Sequence, residues 1–168
     1  MLRCITYKVR RRTMATSYDY SILYKTFSRL IKSRLNLTMI ELNGNGKPPE
    51  PPFVAFDIIS PKIPLGFLED NRAFEAMVSF TIYSKKKLEA MQLCNDLRSI
   101  MGDTASSDVF SEKEIVMIER MPIQPRYVQE STDYAYMFGF DMRLRLWESY
   151  QDHVGTIENI DYKEENNE

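Results

Sequence analysis

The sequence predicts an α+β protein with a single mixed, mostly antiparallel sheet of about four main strands and two helices packed on one face. Three observations predict this class. One stretch near the C-terminus alternates strictly between apolar and other residues, two further apolar runs have strand-like spacing, and two segments repeat apolar residues at three and four positions. The predicted order of elements along the chain is helix, strand, strand, helix, strand, strand.

The longest pattern runs from Asp133 to Trp147 and places an apolar side chain at every second residue. Successive side chains of a strand point to opposite faces, so these seven share one face: Tyr134, Tyr136, Phe138, Phe140, Met142, Leu144 and Leu146. The other face receives Asp141, Arg143 and Arg145. A helix would spread the apolar residues around its circumference. The pattern therefore predicts a long strand with one apolar and one charged face.

A first amphipathic helix is predicted from Tyr18 to Arg34, with Ser17 or Asp19 as its N-terminal cap. Three basic residues lie towards its C-terminal end: Arg29, Lys32 and Arg34. They suggest phosphate binding, but the helix dipole favours cations there and explains them more simply. A short strand is expected between Leu37 and Leu42.

The segment NGNGKPPEPP, residues 43–52, is predicted to be a loop, because glycine permits positive φ and proline prevents regular pairing. Its GNG lacks the spacing of a nucleotide-binding loop. Two strands follow, Phe53 to Ser60 and Arg72 to Tyr83, and Pro61 and Pro64 are expected to break the chain into a loop that reaches Asp70.

The second helix is predicted from Lys85 to Met101, with Ser84 as its cap and Cys94 as a small core residue. Asp103 to Ser111 is predicted to be a polar loop, and Lys113 to Met121 a short third strand. Arg126 to Thr132 connects that strand to the long one.

Three parts of the chain differ in composition. Residues 1–16 are predicted to be a flexible basic leader, residues 17–150 a single α+β domain, and residues 151–168 an acidic flexible tail. Arg10, Arg11 and Arg12 leave open an alternative in which the leader binds nucleic acid or a membrane. Met14 is an alternative start of the protein to Met1.

The length, the net charge and the cysteine count exclude several classes of protein. The chain has 168 residues and a formal net charge of −2, which argues against a protein whose main task is to grip phosphates. Cys4 and Cys94 form neither a disulfide framework nor a zinc site. No run approaches the roughly 20 apolar residues of a membrane span.

Candidate catalytic residues are few. His153 is the only histidine and is expected to be a solvated surface residue. Asp103 with Asp108, or Glu112 with Glu114, would be paired carboxylates, but no partner motif accompanies them. We therefore expect no enzymatic activity, no cofactor and no metal. Exposed aromatic residues beside basic ones suggest single-strand binding, but most aromatic residues here fall on predicted core faces.

Four stretches together resemble the tail-terminator or neck proteins of tailed bacteriophages. They are the helix YDYSILYKTFSRLIKSRL, the proline-rich loop with FVAFDII after it, FEAMVSFTIYSKKKLEAMQLCNDLRSIM, and YAYMFGFDMRLRLWE. The resemblance covers about residues 17 to 148. It includes a strand that ends in Tyr83 and Ser84 and leads into a helix, and a closing strand of alternating aromatic residues and arginines.

The resemblance implies a structural virion protein of the tail or neck, assembled in the host cytoplasm. Such proteins form a ring, commonly a hexamer, that caps the tail tube and joins it to a head-closure or connector protein. DNA passes through the lumen without specific binding, and no membrane is involved. Candidate contacts with neighbouring subunits or the tube are Lys47, Pro48, Pro51, Lys62, Asp141, Arg143 and Arg145.

Two alternatives remain at this point. Arg143 and Arg145 either pair with acidic residues of an adjacent subunit or keep one face of the sheet soluble. The function alternative is a small nucleic-acid-binding module that uses the basic leader and the first helix.

Overall fold

The structure, a computed structural model, describes residues 18–66, 73–126 and 136–148. Three helices and six strands lie in these ranges: α1 (Ser21–Leu35), β1 (Met39–Glu41), β2 (Phe53–Pro64), β3 (Ala73–Ser84), α2 (Lys87–Ile100), α3 (Thr104–Ser111), β4 (Val116–Arg120), β5 (Gln124–Pro125) and β6 (Tyr136–Trp147). The predicted leader, residues 1–16, and the predicted tail, residues 151–168, lie outside the described residues. The division into domains and the placement of His153 therefore stay predictions.

The sheet confirms the α+β class and the mixed pairing. Its strand order is β1-β2-β3-β6-β4, and β5 also pairs with β6. β1 runs parallel to β2, whereas the other pairs are antiparallel. The described ranges hold six strands and three helices, more than the four and two predicted. The long strand β6 lies inside the sheet, with β3 on one side and β4 and β5 on the other.

One face of the sheet carries the hydrophobic core, and we call it the helix-covered face. The alternation predicted for β6 is confirmed from Phe138 onwards, because Phe138, Phe140, Met142, Leu144 and Leu146 are all buried there, whereas Tyr136 at the start of the strand is exposed. Buried residues of all three helices belong to the same core. The ring of Phe80 in β3 lies 5.1 to 5.6 Å from those of Phe27, Phe56 and Phe140. The helices therefore stabilise the sheet from one side.

The prediction of a polar loop from Asp103 to Ser111 is wrong, because most of this segment forms α3. The carboxylate of Asp103 accepts a hydrogen bond from the backbone N–H of Ser106 at 2.8 Å and caps the helix. Phe110, buried in the core, anchors its other end. A single buried aromatic residue gives too weak a periodicity to reveal so short a helix.

The predicted strand end at Ser60 is also wrong, since β2 continues through Pro61 to Pro64. The register between β2 and β3 shifts twice in this region, between Ile58 and Ser60 and again between Ser60 and Ile63. Bulged positions tolerate a residue without a backbone N–H, so proline fits there. Lys62 therefore lies in a strand and not in a loop.

The helix starts differ in detail from those predicted. α1 begins at Ser21, whose backbone N–H donates to the carboxylate of Asp19 at 3.0 Å. α2 begins at Lys87, and Lys86 rather than Ser84 occupies the cap position. The Ser84 hydroxyl accepts a hydrogen bond from the backbone N–H of Lys86 at 3.1 Å and donates one to Glu89. Ser84 thus orders the entry to the helix from outside it.

Candidate functional site

The second face of the sheet is built from the alternate residues of the same strands, and we call it the open face. In β3 it carries Glu75, Met77, Ser79 and Thr81, and in β6 it carries Gly139, Asp141, Arg143 and Arg145. The three described helices all pack on the opposite face. Polar and charged side chains therefore occupy the middle of a sheet face that no described helix covers.

Glu75 is the central charged group of the open face. Its side chain is only 4% exposed, and it pairs with two arginines of the adjacent strand. Arg145, directly opposite in the register, donates from Nη2 to Oε1 at 2.9 Å. Arg143 places Nε 2.5 Å from Oε2. A buried carboxylate is stable only when it is paired, so the two arginines make this arrangement possible.

The pairing changes the acidity of Glu75. The hydrogen bond from Arg145 lowers the pKa of this carboxyl below its ordinary value of 4.5, and the pairing with Arg143 lowers it further. Burial acts in the opposite direction and raises the pKa, but the arginines outweigh it. Glu75 therefore stays ionised at neutral pH and holds both guanidinium groups in place.

A second polar cluster lies further along the open face, around Arg126. Its guanidinium donates hydrogen bonds to the hydroxyls of Ser79 and Thr81 and to the carboxylate of Asp141. A Cβ atom at position 139 would stand 2.7 Å from Nε of Arg126 and 2.5 Å from the carbonyl oxygen of Phe80. Gly139 therefore leaves the room that Arg126 needs to lie flat on the sheet.

The edge of the open face beside β4 combines apolar and basic side chains. Val116 of β4 lies opposite Arg145 in the register, and Trp147 lies two residues beyond Arg145 on the same face. Val116 and Trp147 are exposed, and the two arginines are partly exposed. We call Val116, Arg143, Arg145 and Trp147 the arginine patch. Arginine and tryptophan are enriched at protein interfaces, and here the Glu75 pairing fixes the arginines in advance.

The structure places the remaining candidate contact residues at separate locations. Lys47 and Pro48 line a groove of about 500 Å³, together with aromatic side chains that include Phe53 and Tyr83. Pro51 follows in the same loop. An ion pair of 2.9 Å between Glu50 of this loop and Lys85 joins the loop to the segment just before α2. The ammonium of Lys62 lies 3.0 Å from the carboxylate of Glu148, near the opposite end of the sheet. Asp141 belongs to the Arg126 cluster. The candidate residues therefore lie in four places: the loop with Lys47 and Pro48, the Lys62 end of the sheet, the Arg126 cluster and the arginine patch.

Sequence reasoning missed two members of the open face. Glu75 lies within the predicted strand Arg72 to Tyr83, but nothing in the sequence paired it with Arg143 and Arg145. Arg126 was assigned to a connecting segment. The isolated glycine at position 139 within an alternating strand was the available signal for a close approach by another group.

The described residues show little that would support catalysis. They contain no group of three His, Cys, Asp or Glu side chains placed to hold a metal ion. Cys94 is fully buried, as predicted, and burial raises the pKa of its thiol to about 12. Asp103 caps α3 and pairs with Arg34 at 2.6 Å, which leaves it no evident catalytic partner. No helix in the described ranges is long and apolar enough to cross a membrane.

Comparison with known proteins gives one family. A family model described as phage neck terminator protein matches residues 21–168, which includes every described element from the first residue of α1. No curated protein matches the chain. The predicted resemblance to tail-terminator and neck proteins is thus confirmed. The chain belongs to the family of phage neck terminator proteins, and it is a structural protein of the phage tail and neck.

Proposed function

We propose that the protein assembles into a closed ring of identical subunits, with six as the expected number, that caps the tail tube and joins the tail to the head-closure or connector protein. DNA passes through the lumen without specific binding. Assembly takes place in the host cytoplasm, and the protein catalyses no reaction. Family membership supports a terminator role in the tail and neck. The ring and its partners are the proposed detail.

The arginine patch is the observation that carries the proposal. Its apolar side chains, Val116 and Trp147, stand beside two guanidinium groups whose positions Glu75 fixes. Side chains that are already ordered lose less conformational entropy when a partner binds. The patch therefore has the composition and the order of a subunit contact. This favours the interface role of Arg143 and Arg145 over the alternative in which they only keep the face soluble.

The two edges of the sheet differ in the way a head-to-tail contact requires. A ring closes through heterologous contacts, in which two different surfaces of each subunit meet. β4 forms one edge and exposes Val116 and Ile118. The opposite edge is formed by the three residues of β1 and, beyond them, by β2, where the backbone N–H of Ile58 donates to the carboxylate of Asp57 at 2.8 Å. Such a cap discourages the pairing of a further strand. We propose that the β4 edge meets a neighbour and that the capped edge does not add a strand.

The alternative function, a nucleic-acid-binding module, gains no support. One of the four basic side chains of the first helix, Arg34, is engaged by Asp103. The leader lies outside the described residues. The formal net charge of −2 provides no broad electrostatic attraction for phosphates. A ring lumen with weak affinity for DNA agrees with this charge.

Two matched valine variants test the proposal. Val116→Glu places a carboxylate in the arginine patch, whereas Val109→Glu places one on α3; the parent valines are 44% and 37% exposed. We expect the wild type and Val109→Glu to form the same closed oligomer in light scattering, alone or with the tail-tube protein. We expect Val116→Glu to remain a folded monomer, because the new carboxylate stands opposite Arg145 of its own subunit, competes with the neighbour for that guanidinium and puts a charge where the interface needs an apolar side chain.

Two results would contradict the proposal. One is a wild-type protein that stays monomeric at high concentration and also in the presence of tail-tube protein. The other is a Val116→Glu variant that assembles as well as the wild type. Circular dichroism of both variants verifies that the fold is retained.

A further inference from the structure

The outer face of α2 exposes apolar side chains that the proposed function does not use. Leu88 is 73% exposed, more than any other large hydrophobic side chain described, and Met91, one turn further along the helix, is also exposed. Single exposed apolar residues are common, but two neighbours on one helix face form a patch. We call Lys86, Lys87, Leu88 and Met91 the α2 patch.

The lysines of the α2 patch do not stabilise the helix through its dipole. The helix dipole makes cations unfavourable at an N-terminus, where Lys86 and Lys87 lie. In the part of the chain that the structure describes, neither lysine forms an ion pair. Lys85, just before them, pairs with Glu50. The surface thus combines apolar side chains with positive charge and suits a partner that is both apolar and acidic.

The chain itself contains a segment of this chemistry. Residues 149–168 hold six carboxylates and one lysine, and their apolar side chains include Val154, Ile157, Ile160 and Tyr162. The family match runs to residue 168 but begins only at residue 21. The matched range therefore includes the acidic segment and leaves out the basic leader.

The topology places the start of this segment far from the α2 patch of the same chain. Trp147 pairs with Ala73 at one end of β3, and Ser84, at the other end, leads into α2. The two ends lie about 36 Å apart at about 3.3 Å per strand residue. To reach its own α2, the segment would use about half of its length to cross the sheet.

We propose that residues 149–168 of one subunit dock on the α2 patch of the neighbouring subunit. This inference rests on the proposed ring. The carboxylates face Lys86 and Lys87, and the apolar side chains cover Leu88 and Met91. The contact joins two different surfaces, as ring closure requires, and adds a second link to the one made by the arginine patch.

Cross-linking of mixed single-cysteine chains tests the docking. In a full-length Cys4→Ser background, one chain carries Leu88→Cys and a second carries Glu165→Cys. Cys94 is no competitor, because it is buried and its raised pKa of about 12 keeps it a thiol at neutral pH. The two chains are mixed, assembled and treated with a short bismaleimide. We expect a cross-linked dimer that contains one chain of each kind.

The controls test position and charge. Val109→Cys on α3, mixed with Glu165→Cys, should yield at least five-fold less mixed dimer. Lys86→Glu with Lys87→Glu in the Leu88→Cys chain should reduce the yield similarly. Glu164→Lys with Asp161→Lys in the Glu165→Cys chain should restore the yield, because the charges are then exchanged.

The outcomes separate this inference from the ring itself. A ring of the expected mass without the mixed dimer overturns the docking and leaves the ring intact. A cross-link formed only within a single Leu88→Cys/Glu165→Cys chain overturns the assignment to a neighbour. A chain that neither assembles nor cross-links overturns both proposals, and the mass from light scattering identifies this case.

Discussion

The two faces of the sheet use the same strands for different physical purposes. The helix-covered face is apolar throughout its centre, and the aromatic rings of α1, β2, β3 and β6 pack there out of contact with solvent. The open face is polar at its centre, where Glu75 and Arg126 each bind side chains of the neighbouring strand. In the proposed ring, folding stability therefore comes from one face of the sheet and assembly uses the other.

The open face is ordered by pairing and not by burial of apolar area. Removing a carboxylate from water is unfavourable unless hydrogen bonds and opposite charges replace the lost hydration. Glu75 obtains both from Arg143 and Arg145. The guanidinium groups remain partly exposed, so they are fixed in position and still available to a partner. The helix-covered face presents no such partly exposed charged groups at its centre, because the described side chains there are buried in the core.

The largest expected effect of a single substitution is on the helix-covered face. Phe80→Ala removes the ring that touches Phe27, Phe56 and Phe140. We expect the free energy of unfolding to fall by about 3–5 kcal/mol, from lost apolar burial and the remaining cavity. Denaturant titration followed by circular dichroism measures the change.

Phe53→Ala is the matched control on the open face. Phe53 is also buried, but its ring stacks on that of a half-buried Tyr83 with 4.7 Å between the centroids. We expect a smaller loss, about half that of Phe80→Ala, because the less enclosed site is more easily refilled by water. Equal losses in the two variants would contradict the assignment of stability to one face.

An effect smaller than that of Phe80→Ala, with a distinct pH dependence, is expected for Glu75→Gln. The variant retains the shape of the side chain but removes the charge that pairs with two arginines. We expect a loss of about 1.5–3 kcal/mol in the free energy of unfolding at pH 7, the range for hydrogen bonds to charged groups. Denaturant titrations at several pH values between 7 and 3 measure it.

The pH dependence follows from the lowered pKa of Glu75. A carboxyl whose pKa is lower in the folded than in the unfolded state stabilises the fold above about pH 4.5, and this contribution is lost as the pH falls further. The wild type should therefore lose more stability than Glu75→Gln between pH 5 and 3. Glu112→Gln, at an exposed glutamate, should follow the wild-type curve. Parallel curves for the wild type and Glu75→Gln would show that the pairing contributes nothing.

The sequence predicted the helix-covered face better than the open face. Alternation in β6 identified the buried side chains from Phe138 to Leu146 correctly, since burial on one face follows directly from the strand period. The approximate positions of α1, α2, β1 and β4 also follow from local patterns. The existence of α3 did not, because its single buried aromatic residue and its Asp103 cap were outweighed by its polar composition.

Long-range strand register explains most of the remaining differences between the predicted and the observed structure. The pairing of Glu75 with Arg143 and Arg145 depends on β6 lying beside β3, although α2, α3, β4 and β5 separate them in the chain. No local pattern encodes which two strands become neighbours. The continuation of β2 past Pro61 similarly depends on bulges against β3. β5 is only two residues long, and its pairing with Gly139 and Phe138 of β6 is what makes it a strand.

Hydrogen–deuterium exchange of the assembled wild type tests the central claim most directly, with the unassembled Val116→Glu variant as the reference. The account predicts that backbone amides of β4, residues 116–120, exchange more slowly in the ring, while those of α1, residues 21–35, exchange at the same rate in both. A ring in which β4 exchanges as fast as in the unassembled variant would contradict the assignment of assembly to the open face and its β4 edge.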